Sequence, residues 1–181
     1  MVFRSDLEKY KQYSGKGTLV LLLSQQGLWA LFVYRISNRI YRSNIPRLLK
    51  RVLLFFCTLW HKWIEILTGI SLPYSTSIGP KFYIGHFGNI IINSQAVIGK
   101  NCNISQGVTI GVSGRGNNRG VPVIGDNVYI GANATIAGKV RIGNNAVIGA
   151  NSLVIRDVAE GVTVVGVPAE KVSNSDSKDF I

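Results

Sequence analysis

Acidic side chains are scarce in this chain. Its 181 residues hold 9 Asp and Glu against 20 Lys and Arg, a formal net charge of +11 at neutral pH. The deficit is uneven: residues 1–75 carry 11 basic and 3 acidic residues, a net +8, and residues 76–181 carry 9 and 6, a net +3. A basic patch fits nucleic acid, anionic lipid or a phosphorylated ligand. No helix-turn-helix, RNP or zinc-finger pattern accompanies it, which argues against nucleic acid. Cysteine is rarer still: Cys57 and Cys102 stand without C-x-x-C spacing, which excludes a disulfide scaffold and a cysteine-rich zinc site and fits a reducing cytosol. The two histidines, His61 and His86, are too few for a three-histidine zinc site, so no metal is expected. Long apolar runs are missing as well. Residues 18–34 are interrupted by Ser24, Gln25 and Gln26, and residues 52–60 give only nine positions before His61 and Lys62; a spanning helix needs roughly 20. The N-terminal stretch MVFRSDLEKYKQY lacks the apolar core and small-residue cleavage site of a signal peptide. A cytoplasmic location is the expectation.

What the chain does have is a period. Isoleucine or valine recurs at Ile78, Ile84, Ile92, Ile98, Ile104, Ile110, Ile124, Ile130, Ile136, Ile142, Ile148 and Val154. The step is six, except for eight between Ile84 and Ile92 and fourteen between Ile110 and Ile124. Half-buried strands of a sandwich alternate with period two; a strict six-residue period marks a parallel β-helix, in which each hexapeptide is a short strand plus a corner and three complete one triangular coil. The anchors fill its interior. Asn127 and Asn145 lie 18 residues apart, as do Asn133 and Asn151, so each pair should stack at one corner, where Asn and Gly tolerate the left-handed backbone. Asn101 to Asn127 is 26, one coil plus eight, so a loop must leave the coil between residues 111 and 123.

Residues 1–70 read as a helical arm, residues 71–172 as the coil and residues 173–181 as a polar tail. In the arm, Leu28, Leu31, Phe32, Arg35, Ile36 and Ile40 follow helical spacing. Asn44-Ile45-Pro46 breaks it, because the residue before proline is pushed out of the helical region. Helix resumes near Arg47 and stops at Gly69. Arg39, Arg42, Arg47, Lys50 and Arg51 surround apolar, Trp-bearing segments, as helices that lie on a membrane surface require; the plainer alternative is a solvated basic face.

Chemistry concentrates on His86. It follows the anchor Ile84 by two, so its side chain points out of the coil, and it precedes the eight-residue step. An irregularity in an otherwise strict repeat is where function is expected. Imidazole titrates near neutrality and can take up and return a hydroxyl proton. His61, between Trp60 and Trp63, reads as a packed or surface residue.

Taken in order, GLWALFVYR, TGISLPYSTSIGPKFYIGHFGNIIIN, AVIGKNCNISQGVTIG, a 13-residue loop, VIGDNVYIGANATIAGKVRIGNNAVIGANSLVIRDV and VVGVPAE resemble the serine acetyltransferases and their polysaccharide-modifying relatives. The resemblance implies a left-handed parallel β-helix assembled as a homotrimer or a pair of trimers, with acetyl-CoA in a groove between subunits. His86 matches the catalytic histidine that deprotonates the acceptor hydroxyl. The groove would use Gly131, Ala132, Ala137, Gly149 and Ala150, with Arg115, Arg119 and Lys171 toward the CoA phosphates. Gly and Ala are also what tight corners tolerate, and loop arginines are commonly just solvated. Two departures bear on the acceptor. Gly85 stands where serine acetyltransferases place Asp before the histidine, and Ser71 stands where an Asp orients the imidazole. Neutral Asn89, Ser105 and Gln106 suit a sugar hydroxyl of a capsular or exopolysaccharide precursor, at the inner membrane face; L-serine and a non-catalytic trimeric scaffold are the alternatives.

Overall fold

The computed structural model describes residues 2–181, the side chain of Asn118 excepted. Four helices come first: α1 (Val2–Ser14), α2 (Thr18–Ser24), α3 (Gln26–Arg42) and α4 (Arg47–Thr68). The expected break at Pro46 falls between α3 and α4. Gly69 ends α4 in the left-handed region at φ 65°, its N–H bonded to Glu65 O at 2.7 Å.

From Ile70 onward the chain winds through three sheets in turn. The first face holds β1 (Ile70–Ser71), β4 (Ile90–Ile92), β7 (Thr109–Gly111), β10 (Thr135–Ala137) and β13 (Leu153–Val154). The second holds β2 (Ser77–Ile78), β5 (Val97–Ile98), β8 (Val123–Ile124) and β11 (Arg141–Ile142). The third holds β3 (Tyr83–Ile84), β6 (Asn103–Ile104), β9 (Tyr129–Ile130), β12 (Val147–Ile148), β14 (Thr163–Val165) and β15 (Glu170–Ser173). Strands on one face pair in parallel with the anchors in register, Ile84 on Ile104 on Ile130 on Ile148; only β15 runs antiparallel. All twelve anchors are at most 7 % exposed. A second inward row lies two residues before each anchor, filled by Ala96, Cys102, Val108, Val128, Ala134, Val140 and Ala146. Cys102 belongs to this row, and burial pushes its thiol up to about 11, so it is a space-filler and not a nucleophile.

The corners are asparagine ladders. Asn101, Asn127 and Asn145 all have φ between 54° and 58°. Asn101 Nδ2 donates to Asn127 Oδ1 at 2.9 Å, and Asn127 Nδ2 to Asn145 Oδ1 at 3.0 Å. The loop of residues 111–123 leaves between the first and second faces, pinched by mutual backbone bonds of Ser113 and Gly120. The tail does not trail away: Ser177 is buried, and Phe180 stacks on Tyr129 with centroids 4.6 Å apart.

A coil of parallel strands has an open end, where the first rung exposes unpaired N–H and C=O groups. Side chains of α1 and α3 meet them. Tyr10 Oη donates to Ile84 O and accepts from Ile84 N–H, both at 3.0 Å. Tyr34 Oη donates to Thr76 O at 2.8 Å and accepts from Ile78 N–H at 3.1 Å. Arg35 donates to Ile78 O and Gly79 O at 2.6 Å each, and Asp6 accepts from Phe82 N–H at 2.9 Å. Asp6 and Arg35 are themselves paired two-fold at 2.8 and 3.1 Å, with Asp6 fully buried. Burial pushes the Asp6 carboxyl above its usual range, and bonds from Arg35 and the Phe82 N–H hold against that. Lys9 Nζ reaches the first rung of the asparagine ladder, 2.8 Å from Asn101 Oδ1, and burial lowers it to about 8.

Among the described residues no single helix is long and apolar enough to cross a membrane. The pair α2 and α3 is bent by 92°, and Leu28, Leu31, Val33 and Tyr34 of α3 are spent in the core.

Replacing Tyr10 by Phe leaves both the N–H and the C=O of Ile84 buried without a partner, which should cost about 2–3 kcal/mol. Urea unfolding of the wild type and Tyr10→Phe checks this; a difference under about 0.5 kcal/mol would show that the cap is dispensable.

Candidate active site

The turn bearing His86 is where two extra residues enter the coil. Gly88 (φ 103°) and Asn89 (φ 52°) bend it back toward β4. Three backbone bonds of 2.9 Å hold it: Gly85 N–H to Ile104 O, Gly107 N–H to Gly88 O, and Ile90 N–H to Gly69 O. Gly69 is the residue that ends α4, so arm and turn share a bond. A Cβ on Gly69 would come within 2.9 Å of Asn89 N, so the close approach requires glycine in addition to the positive φ. His86, Phe87 and Asn89 are exposed, with His86 directed out of the coil as its offset from Ile84 implies.

The register of the third face places the other site residues. Backbone bonds carry the pairing one step past the strands: Gly85 N–H to Ile104 O, Ser105 N–H to Ile130 O at 3.1 Å, Gly131 N–H to Ile148 O and Gly149 N–H to Val164 O at 2.8 Å. Gly85, Ser105, Gly131 and Gly149 therefore form one column. Beyond it, Gly107 N–H bonds to Gly88 O and Asn133 N–H to Gln106 O at 2.9 Å, and Asn151 N–H to Ala132 O at 2.8 Å. Gly88, Gln106, Ala132 and Ala150 therefore form the next column, on successive rungs about 4.8 Å apart. His86 juts from the extra residues of the turn beside the head of this column, the His86 column. The sequence steps of 20 from Gly85 to Ser105 and of 26 from Gln106 to Ala132 hide the stacks, because the turn and the loop each lengthen one coil. Gly131 is buried with its Cβ position 2.6 Å from Ala150 N, so adjacent rungs touch there and leave a shallow, small-residue track that leads up to the His86 turn.

Three predicted groups lie elsewhere. Ala137 pairs with Gly111 on the far edge of the first face, where the 111–123 loop departs. Arg115 and Arg119 are exposed on that loop. A hexapeptide face of about five residues at roughly 3.3 Å each separates them from His86 by about 16 Å. Lys171 pairs with Val164 at the opposite end of the third face, on the same side as the His86 column but rungs away. Ser71, on β1 opposite Ile91, lines a hollow of about 330 Å³ with His61, Glu65 and Tyr74. His61 is packed there, its Nε2 3.2 Å from Ser37 Oγ, and burial lowers its pKa. Among the described residues no three His, Cys, Asp or Glu side chains gather to hold a metal ion.

Residues 122–156 match the sequence profile of the bacterial transferase hexapeptide family, six repeats. Over 175 residues the chain is 33 % identical to serine acetyltransferase of Staphylococcus epidermidis, covering 95 % of this chain and 74 % of that relative. This chain belongs to the serine acetyltransferase family. It is also 36 % identical over 162 residues to serine acetyltransferase of a Synechocystis species, covering 90 % of this chain. There it spans only 62 % of the relative, and 63 % of the enzyme of Synechococcus elongatus. Among solved structures, Neisseria gonorrhoeae serine acetyltransferase in complex with serine superposes with a TM-score of 0.80 at 33 % identity, covering 95 % of this chain and 68 % of that one. A serine acetyltransferase complex with CoA superposes with a TM-score of 0.80 at 26 % identity, covering 94 % and 68 %.

The small-residue track makes a sharp contrast within this family member. Gly131→Ala drives a methyl group into the Ala150 backbone and should destabilise by about 1–3 kcal/mol. Gly85→Ala meets only Tyr83 Cε1 at 3.5 Å and Ile104 O at 3.7 Å, so its cost should stay within about 0.5 kcal/mol. Denaturation curves of the two variants that ranked them in reverse would contradict the stacking.

Proposed function

We propose that this protein is an acetyl-CoA-dependent O-acetyltransferase working from a left-handed β-helix. The observation that carries the reading is an exposed imidazole on the bulged turn at the head of the column of Gly88, Gln106, Ala132 and Ala150. An extended thioester arm laid along that small-residue track presents its acyl carbon to His86. The acceptor hydroxyl gives its proton to the imidazole as its oxygen attacks that carbon. The tetrahedral intermediate, its oxyanion met by backbone N–H donors, collapses by breaking the C–S bond, and the imidazolium returns the proton to the departing sulfur. The products are an acetyl ester and free CoA, with no acyl-enzyme. Burial of both Cys57 and Cys102 fits that scheme.

The site is completed by a second copy. Ala137, Arg115 and Arg119 lie a full face away from His86 in one chain, and a neighbour in a trimer brings its own set against the imidazole. Guanidinium groups are suited to the phosphates of CoA. Solved complexes of family members with CoA and with serine support both ligands.

For the acceptor, the relatives favour L-serine, since that is the substrate in their names. This displaces the sugar hydroxyl that the sequence favoured from first place. A sugar hydroxyl is kept as a second reading on one observation. The residues of the His86 turn and of the rung beneath it are Gly85, Asn89, Ser105 and Gln106, whereas a free amino acid calls for charged partners at its carboxylate and ammonium.

Thiol release from acetyl-CoA separates these readings. The wild type should release CoA with L-serine, and His86→Ala should lose about 10²–10⁴-fold in turnover while keeping CoA affinity. Turnover with a nucleotide sugar or oligosaccharide and none with serine would move the acceptor to the second reading. A His86→Ala variant as active as the wild type, or no acetyl transfer by either, would sink the catalytic reading and leave a scaffold.

A further inference from the structure

Helix α4 wears its apolar side outward. Leu48, Val52, Phe55, Leu59, Trp63 and Ile66 recur at steps of three and four, which is one face of a helix, and each is 46–77 % exposed. The opposite side carries Cys57, His61 and Thr68 toward the protein. A helix lying on a globular core normally does the reverse. The 22 residues make this strip about 33 Å long. Leu22 of α2 lines a groove together with Trp60 and Ile64 of α4, so the exposed Leu19 and Leu23 of that short helix, 71 % and 70 % accessible, enlarge the same oily region.

Charge says what covers it. Between Glu8 and Glu65 the sequence holds ten basic residues and no acidic one. Arg47, Lys50 and Arg51 crowd the first turn of α4, where the helix dipole disfavours cations, so helix stability is not their reason. Arg39 and Arg42, which close α3 just before them in sequence, face the coil at Ser77 and Ile98 and are a separate group. A second copy of this chain would bring the same positive charges together, with no carboxylate in the segment to answer them. An anionic bilayer answers both features at once.

We propose that α4 docks lengthwise on an anionic lipid surface, with Phe55, Leu59, Trp63 and Ile66 entering the acyl boundary and Arg47 and Arg51 meeting lipid phosphates. The contact is peripheral. It is independent of the acceptor, and none of these side chains belongs to the His86 column.

The test uses the full chain with sucrose-loaded vesicles of pure phosphatidylcholine or of phosphatidylcholine with about one third phosphatidylglycerol, a composition that supplies surface charge. Co-sedimentation with the anionic vesicles is expected, at least about ten-fold weaker on neutral vesicles or in roughly 0.5 M salt, where charges are screened. It should be lost in the double variant Phe55→Glu, Trp63→Glu, whose thermal unfolding should match the wild type because both sites are exposed. Thiol release by that variant with a soluble acceptor should be unchanged, which keeps this result separate from that of the catalytic reading. Absence of vesicle binding by the wild type, or equal binding by the variant, overturns the proposal. So does a variant that binds no vesicles but halves or thirds the wild-type mass in light scattering, which would assign the strip to a second copy.

Discussion

A column of parallel strands is satisfied everywhere except at its ends, and the first rung of this coil has nothing above it. Its exposed N–H and C=O groups must find partners or lose their hydrogen bonds on burial. Here the partners are Tyr10, Tyr34, Arg35 and Asp6, delivered by two helices that precede the coil in sequence. Each hydroxyl serves one N–H and one C=O, so a single side chain stands in for a missing strand residue. Gly27 allows this packing: a Cβ there would collide with the Tyr10 hydroxyl. The arm is thus the lid of the coil as much as an appendage to it.

The site inherits its geometry from that lid. Tyr10 fixes Ile84, two positions before His86, and the end of α4 fixes Ile90, the first position after the turn. The imidazole is therefore held from both sides of a five-residue turn while its ring stays in the open. Beside it, Gly88, Gln106, Ala132 and Ala150 repeat one corner in register, so the small-residue track and the turn bearing the imidazole are aligned by construction. The arginines and Ala137, placed across the first face, fit a site shared between copies.

Much of this was legible from residue spacing. The anchors showed their period because each fills the same interior position, and Pro46 and Gly69 marked the ends of helices by conformational restriction alone. Asn127 and Asn145 announced their ladder at a distance of one coil. The inward row two residues before each anchor did not show, because Ala96, Cys102, Val108 and Val128 share small size and no obvious chemistry. Nor did the cap: Tyr10 and Asp6 act on residues 74 and 76 positions away, and nothing local distinguishes them from surface residues of an amphipathic helix. The tail read only as polar, yet Phe180 O accepts from both Tyr13 and Asn103. The His86 column was obscured by the unequal steps between its members.

The central claim is that the helices close the coil, and native-state hydrogen exchange tests it most directly. Amides of Ile78, Phe82 and Ile84 on the first rung should be protected to the same degree as those of Tyr129 and Gly131 two rungs in, since only global unfolding would open them. First-rung amides that exchange orders of magnitude faster than the interior ones would show a frayed, uncapped coil and would contradict the account.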